Sequence, residues 1–207
     1  MQKNSINDEH IKKYAKAMGE VNFRIKSVAI LYEHSKILPK IPEPIIIESA
    51  ALQLRKVLEL IAFALLVADE LIYSKNSKNI DKEWHPLKII KQMEKINHNF
   101  YPVPLVCEET NQTWIERTNN YLTKDKFAKV YKKCGDILHR CNPLKELLSN
   151  EYFQRKADFI YECSKNIINL LEIHKIQLVN ESMIWVICMN GNSNGEASYH
   201  PFKPSGK

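Results

Sequence analysis

The chain is poor in glycine and has few of the residue patterns that mark common cofactor and metal sites. Only five of its 207 residues are glycine. It contains no P-loop, GxGxxG, HExxH or EF-hand pattern. These absences leave dinucleotide-binding and zinc-protease functions without a motif, and we expect neither a metal nor a cofactor.

Long hydrophobic runs are also missing. The most apolar window, residues 57–68, is interrupted by Glu59 and is too short to span a bilayer, so we expect no membrane contact. The first five residues lead into charge, and we therefore expect no signal peptide. Cysteine pairs are absent as well, because the five cysteines occur singly, at 107, 134, 141, 163 and 188. A protein of the reducing cytoplasm fits this pattern best.

The composition is that of one domain with a substantial core. Hydrophobic residues make up 44% of the chain and charged residues 26%. A formal net charge of +6 allows a polyanionic partner such as RNA but does not require one.

Apolar residues recur at helical spacing over most of the chain, which predicts a mainly α fold, a helical bundle. Residues 98–121 show no clear period and are interpreted as a long irregular excursion. The predicted helices cover residues 7–38, 44–73, 86–97, 123–140 and a last segment that ends near 173.

The character changes after residue 174. Residues 175–179 and 182–189 are rich in β-branched and aromatic side chains, and a turn signal at 190–195 precedes another strand-like segment. We predict a small C-terminal antiparallel β hairpin or meander. The expected organisation is a helical domain at 1–174, a β appendage packed on it at 175–203, and a flexible tail at 204–207.

His139 lies near the end of the predicted helix 123–140, beside a glycine and several charges. Gly135 precedes it by four residues on the same face and leaves a gap next to the imidazole, which then faces open space or another backbone. Imidazole titrates near neutral pH and suits acid–base chemistry. We predict either a catalytic site or a helix-end histidine that interacts with the C-terminal dipole. The charged neighbours are Lys132, Lys133, Asp136 and Arg140.

A charged stripe crosses the otherwise apolar second helix. Glu48, Arg55 and Glu59 follow a spacing of seven and then four residues, so they share one face. Buried charges are costly unless they are paired. The stripe therefore predicts either an internal ion-pair network or a polar cleft that faces the His139 helix.

Together these features resemble the HEPN superfamily of helical-bundle proteins. The shared features are a bundle of this size, a charge-striped central helix, and a His near the end of a late helix, followed here by the break His139–Pro143. The resemblance covers roughly residues 5–173 by architecture and about ten residues by motif. Such proteins commonly dimerise, and many are metal-independent endoribonucleases of toxin–antitoxin and phage-defence systems.

The HEPN motif is an Arg followed after four to six residues by a His. The resemblance implies His139 as the acid–base residue. No Arg precedes a His at that spacing here, and Lys133 is the cation that stands six residues before His139, with Asp136 between them. The candidate phosphate ligands are Arg55, Lys132 and Arg140.

The expected function is thus that of an RNA-directed, cytoplasmic homodimer of a defence or stress system, acting as a metal-independent endoribonuclease. The alternative is a non-catalytic dimeric module that acts in interactions or binds nucleic acid. A protein partner is also considered, bound through the C-terminal hairpin or residues 98–121.

Overall fold

The computed structural model describes residues 2–37, 43–69, 84–108, 110, 113–139, 150–178, 184–191 and 196–202. Within these ranges the chain is mainly helical, as predicted. The helices are α1 (Gln2–Ile37), α2 (Glu43–Ala68), α3 (Pro86–Ile96), α4 (Lys124–Leu138) and α5 (Asn150–Leu171). The strands are β1 (Val103–Glu108), β2 (Thr113–Glu116), β3 (Ile173–Gln177), β4 (Ile184–Cys188) and β5 (Ser198–Phe202).

Helix α2 is the centre of the bundle and contacts each of the other four helices. Its apolar residues surround most of the helix, so it can be buried from several sides at once. Even so, no helix in the described ranges combines the length and apolar character needed to cross a membrane. The helix ends at Ala68, and the predicted extension to residue 73 lies outside the described residues.

Local signals set the starts of α3 and α4. Pro86 is the first residue of α3, where its fixed φ favours the helix and its missing N–H costs nothing. Thr123 occupies the N-cap position of α4, as predicted, although its hydroxyl makes no capping hydrogen bond. The C-cap of α4 is His139, whose backbone N–H donates to the carbonyl of Gly135 at 3.2 Å.

The strands form one antiparallel sheet in the order β2-β1-β3-β4-β5. Strands β3, β4 and β5 make the C-terminal meander that the sequence predicts. One face of the sheet packs on the helices through α5 and α1 and joins their hydrophobic core. The residues buried on this face are Pro104, His174, Ile176, Trp185 and Ile187.

The interpretation of residues 98–121 as irregular was wrong. Residues 103–108 and 113–116 form β1 and β2, and β1 pairs with β3 at Val103–Lys175 and Pro104–His174. The sheet therefore has five strands, two of which come from the middle of the chain. The carbonyl of Pro104 accepts from the N–H of Arg117, so the missing N–H also faces the β2 side, beyond the last ladder pair Leu105–Glu116, where its loss disrupts little.

Candidate functional site

An open cleft lies where α2, the start of α3 and the C-terminal half of α4 meet. It has a volume of about 850 Å³, counted with its open mouth. The α4 side is one helical stripe, since positions 129, 132, 135, 136 and 139 recur at intervals of three or four residues. The polar residues that line the cleft are Arg55, His85, Lys129, Lys132, Asp136 and His139.

The gap left by Gly135 is filled by Arg55. A Cβ atom built on Gly135 would lie 2.6 Å from Nη1 of Arg55, closer than non-bonded atoms approach. The expectation that the glycine leaves open space or another backbone beside the imidazole is thereby corrected: a guanidinium from another helix occupies it. Arg55 and His139 line the same solvent-open cleft.

Arg55 is held by two neighbours. Its Nη2 donates to the hydroxyl of Tyr131 at 2.7 Å, and its Nε lies 3.4 Å from Oε1 of Glu59. The guanidinium carbon lies 4.2 Å from the centroid of the Tyr131 ring. The side chain of Arg55 keeps 30% of its surface exposed and lines the cleft.

Glu59 forms ion pairs with two cations and accepts a hydrogen bond from a phenol. Lys56 Nζ lies 2.8 Å from Oε2, and the Tyr131 hydroxyl donates to Oε1 at 3.2 Å. Burial raises the pKa of Tyr131; the charge of Glu59 raises it further, while Arg55 opposes both. The phenol therefore stays protonated and positions the guanidinium. Two cations against one carboxylate leave this network with a positive charge.

His139 is exposed at the C-cap position of α4. Within the described ranges its imidazole has no hydrogen-bond partner, and the residue lines the cleft. The site at the helix end also suits the dipole interaction considered as an alternative, and the two interpretations are geometrically compatible.

His85 was not predicted as part of the site. The sequence suggested only a helix entry before Pro86, and His85 is indeed the N-cap of α3. Its imidazole lines the cleft, and its ring centroid lies 6.2 Å from that of Tyr131 in an edge-on arrangement. The cleft therefore contains two imidazoles.

Only some of the remaining predicted residues line the cleft. Asp136 and Lys132 are exposed and line the cleft. Lys133 does not line it; its Nζ lies 4.3 Å from the centroid of the Phe159 ring on α5. Glu48 is exposed and lies outside the Arg55–Glu59 network. Arg140 falls outside the described residues.

Metal-capable side chains do not gather at the cleft. No group of three or more His, Cys, Asp or Glu residues is placed to hold a metal ion in the described parts of the chain. Cys134 is buried in the core, and burial raises its pKa to about 12, so it is neither a thiolate nor exposed.

The sequence also contains the pattern GxSxG, at Gly191–Gly195. In hydrolases this pattern marks a nucleophile on a strand-to-helix turn. Here it lies between the strands β4 and β5, and residues 192–195 fall outside the described residues. In the part of the chain that the structure describes, the next element is a strand and not the helix that the pattern requires.

No family model, curated protein or solved structure matches this chain. The cleft is therefore interpreted from its own chemistry.

Proposed function

We propose that this chain is an HEPN-like, RNA-directed protein of a defence or stress system that cleaves RNA at the Arg55–His139 cleft without a metal ion. The observation that carries the proposal is the shared cleft. A guanidinium from α2 and an imidazole from α4 face one solvent-open space, with Lys129 and Lys132 at its rim.

The position of Arg55 supports the HEPN comparison despite the missing motif. The HEPN motif places an Arg four to six residues before the His, whereas position 135 of this chain is a glycine. The tip of Arg55 lies where a side chain at position 135 would begin. The cation is thus supplied from a neighbouring helix. A guanidinium suits this task because its planar donors match two phosphate oxygens.

The groups of the cleft suffice for RNA cleavage by internal transfer. Neutral His139 takes the proton of a ribose 2′-hydroxyl, and the 2′-oxygen attacks the adjacent phosphorus. Arg55 and Lys132 stabilise the charge on the phosphoryl oxygens. The bond from phosphorus to the 5′-oxygen breaks, and protonated His85 gives its proton to that oxygen. The products are a 2′,3′-cyclic phosphate and a 5′-hydroxyl, with His139 left protonated and His85 left neutral.

Cleavage of labelled single-stranded RNA in EDTA tests the proposal. We expect products that end in 2′,3′-cyclic phosphate, because the attacking nucleophile is the 2′-hydroxyl. The same oligonucleotide made with 2′-deoxyribose throughout should stay intact. Cleavage that requires added divalent metal, or that proceeds equally on the deoxy strand, would contradict the mechanism.

Gly135→Ala provides a test of the Arg55 position. The added methyl displaces the guanidinium, which is the far end of a flexible side chain, while alanine favours the helix by about 1 kcal/mol. We expect the free energy of unfolding in urea to change by less than about 1 kcal/mol and RNA cleavage to fall about tenfold or more.

Gly19→Ala is the matched control for that substitution. Gly19 lies within α1, and a Cβ atom there meets nothing within 4 Å. The control variant should gain stability and cleave RNA like the unmodified chain. Full activity in Gly135→Ala would show that RNA cleavage does not require the guanidinium of Arg55 at its present position.

A homodimeric, non-catalytic interaction module is the second candidate. It is favoured by an apolar groove of about 840 Å³ between α1, α2 and α5, with exposed Ile45, Tyr161 and Ile168 at or near it. This function predicts no RNA turnover under the conditions above. Partner binding would then depend on the meander or on residues 98–121, and it would weaken steeply with salt only for a nucleic acid.

A further inference from the structure

Trp84 is exposed beside the cleft. It retains 73% of its accessible surface, the same share as Phe23, and the two are the most exposed large hydrophobic residues in the described ranges. Single exposed apolar residues are common on protein surfaces and by themselves indicate nothing. The environment of Trp84 is what distinguishes it.

A connected series of rings leads from Trp84 to the Arg55 cation. The indole and the His85 imidazole have centroids 6.0 Å apart, and His85 lies 6.2 Å from Tyr131. The Arg55 guanidinium carbon lies 4.2 Å from the Tyr131 centroid. Trp84 does not itself line the cleft, but its exposed indole lies next to the His85 imidazole, which does.

Exposed lysines also line the cleft. Lys129 and Lys132 project from α4 and line the cleft. Proteins that bind single-stranded nucleic acid combine cations that follow the backbone with aromatic rings on which bases stack. A duplex cannot use such a ring without unstacking, because its bases are already stacked on one another.

We propose that Trp84 is a base-stacking subsite, which restricts the ligand of this cleft to RNA with an unpaired base next to the bound phosphate. The proposal rests on the RNA-directed function given above. In this arrangement the phosphate lies against Arg55 and Lys132, and the neighbouring base lies on the exposed indole. His85 separates the two, within reach of the sugar–phosphate bonds that join them.

Binding of a cleavage-resistant strand tests the subsite separately from catalysis. The probe is a fluorescent, single-stranded 2′-O-methyl RNA, and the affinity is measured by anisotropy at low salt. We expect Trp84→Ala to raise Kd by about 5- to 150-fold, since removal of one base-stacking aromatic has effects of that size. Trp84→Phe should recover most of the affinity because a smaller ring still stacks.

Trp114→Ala is the matched control. Trp114 is another exposed tryptophan, at 53%, but it lies on the edge strand β2, and in the described residues no ring contact joins it to a residue that lines the cleft. Its replacement should leave Kd unchanged. An abasic strand and a blunt duplex should bind Trp84→Ala and the unmodified chain equally.

The outcomes separate this proposal from the catalytic one. The subsite would be overturned if Trp84→Ala and the unmodified chain bound the single strand with equal affinity. It would also be overturned if Trp84→Ala lost as much affinity for the abasic strand as for the intact strand. Either result would stand even if RNA is cleaved. Trp84-dependent binding without cleavage would retain the subsite and reject the catalytic mechanism. Absence of any RNA binding by the unmodified chain would contradict both.

Discussion

RNA cleavage is expected to fall by about 10²- to 10⁴-fold when His139 is replaced by alanine, because that is the usual contribution of a positioned acid or base. His139 is exposed and lines the cleft that contains the Arg55 guanidinium. Removal of its ring takes away the group that, in the proposed mechanism, accepts the 2′-hydroxyl proton. The measurement is the single-turnover rate in EDTA.

His98→Ala is the control for this variant. His98 is also exposed, but it lies beyond the end of α3 and borders a different cleft, next to the sheet. Its replacement should leave the rate unchanged. Equal rates for His139→Ala and the unmodified chain would remove His139 from the mechanism.

Added imidazole distinguishes a catalytic role from a structural one. The cleft is open to solvent, so free imidazole can enter the space left in His139→Ala. We expect partial recovery of the rate that rises with imidazole concentration, and no such effect on His98→Ala. A histidine that only stabilises the end of α4 would give a loss of thermal stability and no recovery.

The helices could be predicted because their signals are local. Apolar residues at helical spacing and flanking prolines are read from neighbouring positions. These signals predicted the end of α1 and both ends of α3 to within about two residues, while α1 begins earlier than predicted. The strands β1 and β2 could not be predicted in this way. All four residues of β2 are exposed, so it shows no alternation, and β1 contains Pro104. The two strands pair locally with each other, but β1 joins the rest of the sheet through β3, which lies far along the chain.

The candidate site was predicted in part. His139 and Arg55 were identified separately, and the sequence left open whether they share a cleft, because the contact between α2 and α4 is tertiary. Lys133 was chosen on sequence distance, but six residues turn a helix by about 240°, which points it toward α5. Seven residues make nearly two turns, so Lys132 shares the face of His139. That periodicity was the signal that Lys132, and not Lys133, lines the cleft.

Acid is expected to destabilise the fold through one buried pair that joins the sheet to α1. His174 of β3 is fully buried, with Nδ1 2.8 Å from the carbonyl oxygen of Leu171 and Nε2 2.9 Å from the hydroxyl of Tyr14. A carbonyl oxygen only accepts, so Nδ1 carries the proton and Nε2 accepts from the phenol. The neutral imidazole therefore satisfies both of its nitrogens.

Burial lowers the pKa of His174 to about 4, against the partial compensation of the hydrogen bond to Leu171. In the unfolded chain the imidazole titrates at its ordinary value near 6.5, so the unfolded state binds more protons between these values. The stabilisation from the neutral pair is complete above about pH 6.5. It is lost as the pH falls toward 4, and the difference corresponds to about 3 kcal/mol of unfolding free energy.

Urea unfolding at several pH values between 7.5 and 4, followed by far-UV circular dichroism, measures this loss. His174→Gln should show a flatter dependence, because a neutral amide can still accept from Tyr14 but takes up no proton on unfolding. It should be less stable than the unmodified chain at pH 7.5, since an amide does not reproduce the geometry of both ring nitrogens. His98→Gln, at an exposed position, should keep the full pH dependence. If the unfolding free energy of His174→Gln depended on pH as steeply as that of the unmodified chain, other groups would be responsible for the acid sensitivity. The Tyr14–His174 hydrogen bond would then be only a neutral polar contact between the sheet and the bundle.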